Sequence, residues 1–557
     1  WLNVAGRVRI DNTHSEYEGK LYASSSNTLT DGSSQGHYTV NNGQYSQTYA
    51  DVLVNINKRI QDFTIVANIG ASYSGVTSKE LGYAGPIRET GIPNLFNVYD
   101  LDNAKKRATQ VGWREATESI FASAEVGWKS MLYLTVTGRN DWASQLTHSP
   151  QASFFYPSVG LSAVITEMLK LPDWVDYLKV RGSFSSVGNP YPRFLTYPTY
   201  SYDANKQDWK SQTNYAIGKL YPERTDSWEI GLDATLFKDF KLSGSFYYAN
   251  TYNQTFDPRL PVSSGYDKLY VQTGYVRNYG FEAMLSYGHR WGDFGWDSSF
   301  TFSANKNEIV ELVKDYVHPE TGKTYNVDKL ELKTDEGRGF GKAKFILKEG
   351  GTLGDLYTHA DLKRDINGNI LIDDSGNVTA IDNAGDIKLG SVLPKANLAW
   401  NNSFSYKGIN AGFLLTARLG GIVYSATQAY LDLYGVSETS AAARDAGGVW
   451  INGRSRVNPQ SFYEVVASQS GLPTYYTYSA TNLRLQEAHI GYTIPRRWLG
   501  NVCDINVSLV GKNLWMIYCK APFDPEAVAT TNNYYQGIDY FMMPSTRNIG
   551  FNIKINF

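Results

Sequence analysis

The chain has 557 residues, a net charge of −2 from 52 Lys and Arg against 54 Asp and Glu, and 42% hydrophobic residues. No apolar run approaches the roughly 18 residues that mark a helical membrane span, so a helical membrane protein is excluded, and the charge offers no surface for nucleic acid. Aromatic residues at 14%, led by 41 Tyr, together with 50 Gly, suit many strands joined by polar links, a β-barrel included, because only alternate residues of a barrel strand are apolar.

Period-2 alternation marks sixteen segments. The first, about 1–11, places Leu2, Val4, Val8 and Ile10 on one face. A strand pattern at the very start leads us to expect the C-terminal part of a longer protein, or one piece of a cleaved one. There follow 47–58, 62–74, 117–128, 131–141, 157–167 and 177–187. The next are 226–237, with Trp228, Ile230 and Leu232 on one face, then 240–251, 278–289, 296–306, 395–406 and 409–420. The last three are 481–493, 502–512 and 546–557. In the final segment Ile549, Phe551, Ile553, Ile555 and Phe557 alternate with polar residues. An aromatic end inside the last strand is the expected assembly signal of an outer-membrane barrel, carried by Phe557, Ile555, Ile553 and Phe551.

Short and long links alternate along the chain. Trp128-Lys129-Ser130, Lys238-Asp239 and Lys407-Gly408 are very short, while most of the intervening links are long. A β-sandwich has no reason to keep that rhythm; a bacterial outer-membrane barrel has short periplasmic turns and long extracellular loops. Trp128, Trp174, Trp291, Trp296 and Trp498 lie in or beside short links, where an indole can bury its ring in lipid and keep its N–H wet. By parity Arg7, Arg9, Asn55, Asn57, Glu125, Lys179, Arg181, Glu229 and Asp233 are expected to face inward.

Several motifs add a more specific signal. They are Gly138-Arg-Asn-Asp-Trp142 with Ser153-Phe-Phe-Tyr-Pro-Ser158, Leu178-Lys-Val-Arg-Gly-Ser183 with Val187-Gly-Asn189, and Pro222-Glu-Arg-Thr-Asp-Ser-Trp-Glu-Ile-Gly-Leu232. Later come Gly385-Asp-Ile-Lys-Leu-Gly390 with Leu393-Pro394, Leu483-Arg-Leu485 with Gly491-Tyr-Thr-Ile-Pro495, Gly511-Lys-Asn-Leu514, and Phe523-Asp-Pro-Glu526. In these motifs and their order the chain resembles the SusC-like (SusC/RagA) branch of the TonB-dependent outer-membrane receptors. The resemblance implies an all-β fold, a transmembrane antiparallel barrel of about 22 strands of which residues 1–557 supply about sixteen, with the plug domain absent from this chain. It also implies location in the bacterial outer membrane and TonB-energised import of oligosaccharides or peptides beneath a SusD-like surface lipoprotein. The implied partners are that lipoprotein, the TonB complex through an N-terminal part, the remaining barrel and plug segment, lipid or lipopolysaccharide, and the substrate. Lys512 and Cys519 depart from what the family leads us to expect near the end.

No residue pattern points to catalysis. The seven His show no metal spacing, and Gly32-Ser-Ser-Gln-Gly36 lies in a Ser/Gly/Asn-rich loop, not between strand and helix. Cys503 and Cys519 form neither a disulfide framework nor a zinc site. Asp365, Asn367, Asn369, Asp373 and Asp374 are candidate calcium ligands, although Asn367-Gly368 between Ile residues reads equally as a hairpin turn. Arg139, Asp141 and Trp142, where a strand meets a loop, are the candidate substrate-binding residues, and Tyr-rich stretches at Tyr191–Tyr202 and Asn532–Tyr535 suit sugars or peptides. A sixteen-stranded passive porin, and a surface β-rich carbohydrate-binding protein, are the competing readings.

Overall fold

The computed structural model describes residues 1–195, 200–203, 208–210, 214–215, 220–256, 268–269, 271–272, 274–317, 324–332, 341–529 and 537–556. Sixteen long strands form one sheet in which neighbours in sequence are neighbours in space. They are β1 (Leu2–Leu21), β2 (His37–Ile60), β3 (Phe63–Pro86), β4 (Arg107–Trp128), β5 (Leu132–Ala143), β6 (Ser153–Val164), β7 (Val175–Asn189) and β8 (Glu223–Leu236). The second eight are β9 (Phe240–Tyr252), β10 (Tyr275–Trp291), β11 (Phe294–Glu311), β12 (Ala396–Tyr406), β13 (Ile409–Leu419), β14 (Asn482–Ile494), β15 (Asp504–Cys519) and β16 (Asn548–Asn556). β1 and β16 stand at the two ends of this order.

All sixteen expected strands are present, several of them longer than expected. β1 to β4 run 20, 24, 24 and 22 residues, about twice what a membrane-crossing strand needs. The extra lengths include polar stretches, such as Asn12–Glu16 paired with Asn42–Ser46. They stay paired because the ladder is made by the backbone and asks nothing of the side chains. The short links are tight turns. Lys129 and Ser130 have φ of 49° and 57°, and Phe237 and Lys238 have 52° and 66°, the paired left-handed conformation that matches strand twist.

The chain divides into two compact units. Unit one holds β1 to β5, most of β6 and the upper end of β7. Its small core, Ala143, Leu146, Phe154, Tyr191, Leu195 and Leu220, covers the top of β5. Unit two holds the remaining strands and three long links that are themselves folded. The link after β11 builds a four-stranded sheet from Lys329–Glu331, Ala343–Lys348, Asp355–Thr358 and Ile387–Ser391 around fully buried Phe345, Ile346, Leu347 and Leu356. The link after β13 carries α1 (Ala426–Leu433), α2 (Glu438–Asp445) and α3 (Pro459–Val466). Each is capped by a side chain that accepts from backbone N–H groups, Ser425, Ser437 and Asn458 respectively. Its strand Ile422–Ser425 also pairs with Ile538–Asp539 from the link after β15, so two links share one core.

Candidate functional site

The two faces of the sheet differ in chemistry, and strand register fixes which residues share each face. In unit two, Leu242, Leu285, Phe300, Trp400, Leu415 and Leu485 are successive cross-strand partners from β9 to β14. Leu285, Phe300 and Trp400 are exposed. One residue over, Ser243, Met284, Thr301, Ala399, Thr416 and Arg484 form the parallel row on the opposite face, beside Ser245, Glu282, Ser303, Asn397, Arg418 and Asn482. Side chains alternate because the strand period is two.

The polar face carries a cavity of about 710 Å³ lined by residues that include Arg181, Ser243, Glu282, Asn397, Arg418, Gln486 and Glu526. Its charges are held in place. Arg181 Nη1 donates to Asp233 Oδ2 at 2.6 Å, Ser243 Oγ donates to Asp233 Oδ1 at 2.7 Å, and Glu229 lies 3.6 Å from Arg181. Arg181, Glu229 and Asp233 thus share one face, as parity predicts, and Ile230, 64% exposed, lies on the other. Arg418 Nη2 donates to Val392 O at 2.7 Å. Such a surface offers hydroxyls, amides and both signs of charge to a polar molecule, and no nucleophile–base pair. Among the described residues no His, Cys, Asp and Glu group has metal-holding geometry.

In unit one the corresponding row is Arg7, Asp51, Ser72, Ser119 and Asp141. Arg139 and Asp141 come together there. Arg139 Nε donates to Asp141 Oδ1 at 2.7 Å, its Nη2 to Ser119 Oγ at 2.7 Å, and Tyr156 OH to Asp141 Oδ2 at 2.5 Å. Asp141 is buried while Trp142, on the opposite face, is exposed. The three candidate residues therefore do not converge on one point. Tyr191 is buried in the unit-one core, Tyr200 and Tyr202 are exposed, and Tyr197 and Asn532–Tyr535 lie outside the described residues.

Asp365 is occupied by its own turn. Its Oδ1 accepts from the N–H of Asn367 and Asn369 at 2.8 and 2.9 Å, its Oδ2 from Asn369 Nδ2 at 3.1 Å, and Gly368 takes a φ of 83°. Asp373 repeats the pattern with Ser375 and Asn377. Both are Asx turns, and the first carries the Asn367-Gly368 pair that marks a turn in the sequence.

Phe551, Ile553 and Ile555 are exposed on one face of β16, opposite Leu509, Val507 and Ile505 of β15. Phe557 lies outside the described residues.

What sequence reading missed is the chemistry inside the long links. Asp432 on α1 is buried and accepts from Gln428 Nε2 at 3.0 Å, from Tyr476 OH at 3.0 Å and from Ser437 Oγ. Burial, with Asp432 close by, pushes the Tyr478 phenol up to about 12. Asp524 is half-buried, which alone would raise its pKa, but hydrogen bonds from the Arg484 guanidinium and the Glu526 N–H, with the charge of Arg484, together hold it below the usual carboxylate range.

A family model described as TonB dependent receptor-like, beta-barrel, matches residues 2–514. TonB-dependent receptor P3 of Formosa agariphila is 24% identical over 524 residues, spanning 87% of this chain and 50% of that protein. TonB-dependent receptor SusC of Bacteroides thetaiotaomicron is 24% identical over 427 residues, 71% of this chain and 40% of that protein. The chain thus spans half or less of the length of these curated relatives. The structure of the RagAB peptide transporter superposes with a TM-score of 0.76 at 17% identity, covering all of this chain and 60% of that one. At that identity the likeness is one of fold.

Proposed function

The chain belongs to the TonB-dependent receptor-like β-barrel family, a family of bacterial outer-membrane transporters and not of enzymes, and on that premise we propose that it is the greater part of the barrel of a SusC-like importer. The cargo is an oligosaccharide or peptide, carried past the polar face under drive from the TonB complex. A SusD-like surface lipoprotein is the proposed partner at the long-link side. The observation that carries the reading is the two-faced sheet. One face exposes Phe246, Phe281, Leu285, Phe300 and Trp400, as lipid requires, and the other presents the cavity that includes Arg181, Ser243, Glu282 and Glu526 in its lining. The long links fit the same scheme, because folded bodies such as α1 to α3 can present a surface to a lipoprotein where plain loops would not.

A sixteen-stranded diffusion porin is the reading to beat. Transport in cells producing the full-length protein separates the two. Uptake of labelled oligosaccharides and peptides should disappear when TonB is deleted. Uptake that continues unchanged without TonB would make the protein a diffusion channel.

A further inference from the structure

Three of the sequence motifs meet at one point. Arg484, from Leu483-Arg-Leu485 on β14, is 5% exposed. Its Nη1 and Nη2 fork onto Asp524 Oδ2 and Oδ1 at 3.2 and 2.8 Å. Nη2 also lies 3.1 Å from Glu526 Oε2, which joins Phe523-Asp-Pro-Glu526 to the wall. Nη1 reaches Asn513 Oδ1 of Gly511-Lys-Asn-Leu514 at 3.4 Å. Asn513 has a φ of 53°, a left-handed conformation that Asn tolerates better than most residues. From there its Nδ2 donates to Thr546 O at 3.2 Å. The guanidinium thus holds Asp524 and Glu526, where the chain leaves β15, and through Asn513 it is linked to Thr546, just before β16.

The final strand needs such a tie. β16 pairs over Asn548 to Asn556 with Lys512 to Asp504, and every residue of it is exposed. A slip of one residue would turn its apolar set to the wrong face, but a slip of two would not. Ile549, Phe551, Ile553 and Ile555 repeat every second residue, so the hydrophobic pattern alone accepts several registers. Nor does the ladder before it run unbroken, since β14 and β15 shift register at Leu483/Arg484 and again at Leu485/Glu487. The contact from Asn513 to Thr546 sets the entry point of β16 against β15 independently of that pattern.

We propose that Arg484, with Asp524 and Asn513, is the clamp that sets the register of the final strand, a positioning device for barrel assembly and not a ligand contact. It acts before any cargo is bound, so it stands or falls separately from the transport reading.

The test uses the full-length protein in outer membranes, with Cys503→Ser and Cys519→Ser as background. Val510 and Gly550 face each other, so Val510→Cys with Gly550→Cys reports the native register, and Val510→Cys with Asn552→Cys reports a two-residue slip. With the clamp intact, only the first pair should cross-link efficiently. Arg484→Gln or Asp524→Asn should lower that product severalfold and bring up the slipped one. If both variants keep the native product alone at parental yield, the proposal is overturned. Arg181→Gln breaks another ion pair of the wall and serves as the comparison. If it raises the slipped product as much as Arg484→Gln does, general destabilisation explains the result and the clamp is rejected. If Arg484→Gln does not accumulate, Asn513→Ala decides, because it spares the ion pair and frees Thr546. It must give the slipped product, and native register there also rejects the clamp.

Discussion

At Asp141 both carboxylate oxygens are already taken, one by Arg139 and the other by Tyr156. Asp141 is also buried, so a ligand could reach this carboxylate only by displacing the residues that cover the top of β5. Asp141→Asn should therefore act mainly on stability, costing about 1–3 kcal/mol for hydrogen bonds to a charged group. Denaturant unfolding of the purified protein would measure it. A variant with unchanged stability and lost substrate binding would return Asp141 to the ligand site. Asp524 gives a pH signature at the same scale. Its folded pKa is depressed, so its contribution is complete above the unfolded carboxylate pKa and is lost as pH falls through the lower, folded value. Protease protection of the link after β15 should accordingly persist at neutral pH and fail only under acid, below the ordinary value of 3.8. In Asp524→Asn that acid-dependent step should be missing. An unaltered acid profile in Asp524→Asn would show that Asp524 does not supply it.

Among the elements, strands were legible and folded links were not. Sixteen alternating segments became sixteen strands because period two survives in sequence whenever one face meets an apolar medium. The upper halves of β1 to β4 left no such trace, since neither face there is continuously apolar. The motif Gly385-Asp-Ile-Lys-Leu-Gly390 was readable as a family signature, yet its place in a four-stranded sheet was not, because that strand, Ile387–Ser391, is too short to show a period. The same applies to the site. Parity put Arg181, Glu229 and Asp233 on one face, but the meeting of Arg484, Asn513 and Asp524 depends on two bulges and a returning link that no local pattern records. β16 offers a direct test of facing. Ile553→Lys would place a cation on the apolar face, at a cost of about 2–4 kcal/mol near the bilayer midplane. Asn552→Lys, on the other face, should cost far less. Refolding into lipid vesicles across a denaturant series would compare them, and equal stability of the two would mean that this face does not meet lipid.

At the scale of the whole molecule, β1 and β16 are the two ends of the strand order. Both strands are largely exposed, and a sheet edge cannot be left facing hydrocarbon, where each unpaired N–H and C=O goes unsatisfied. A porin would solve this by joining β1 to β16. A larger barrel would solve it by setting further strands between them, and a barrel of about 22 strands has a lumen wide enough to need a plug. The chain covers 50% of one curated relative and 60% of the RagAB transporter chain, which favours the second solution. The two make opposite predictions in full-length protein. Val4→Cys on β1 with Ile553→Cys on β16 should give no disulfide if other strands intervene, while the β15–β16 pair Val510→Cys with Gly550→Cys cross-links in the same membranes. Residues 1–557 produced alone should, on the same reasoning, fail to form a heat-resistant barrel in vesicles. An efficient β1–β16 disulfide would close the barrel at sixteen strands, leave no room for a plug, and remove the main support for energised import.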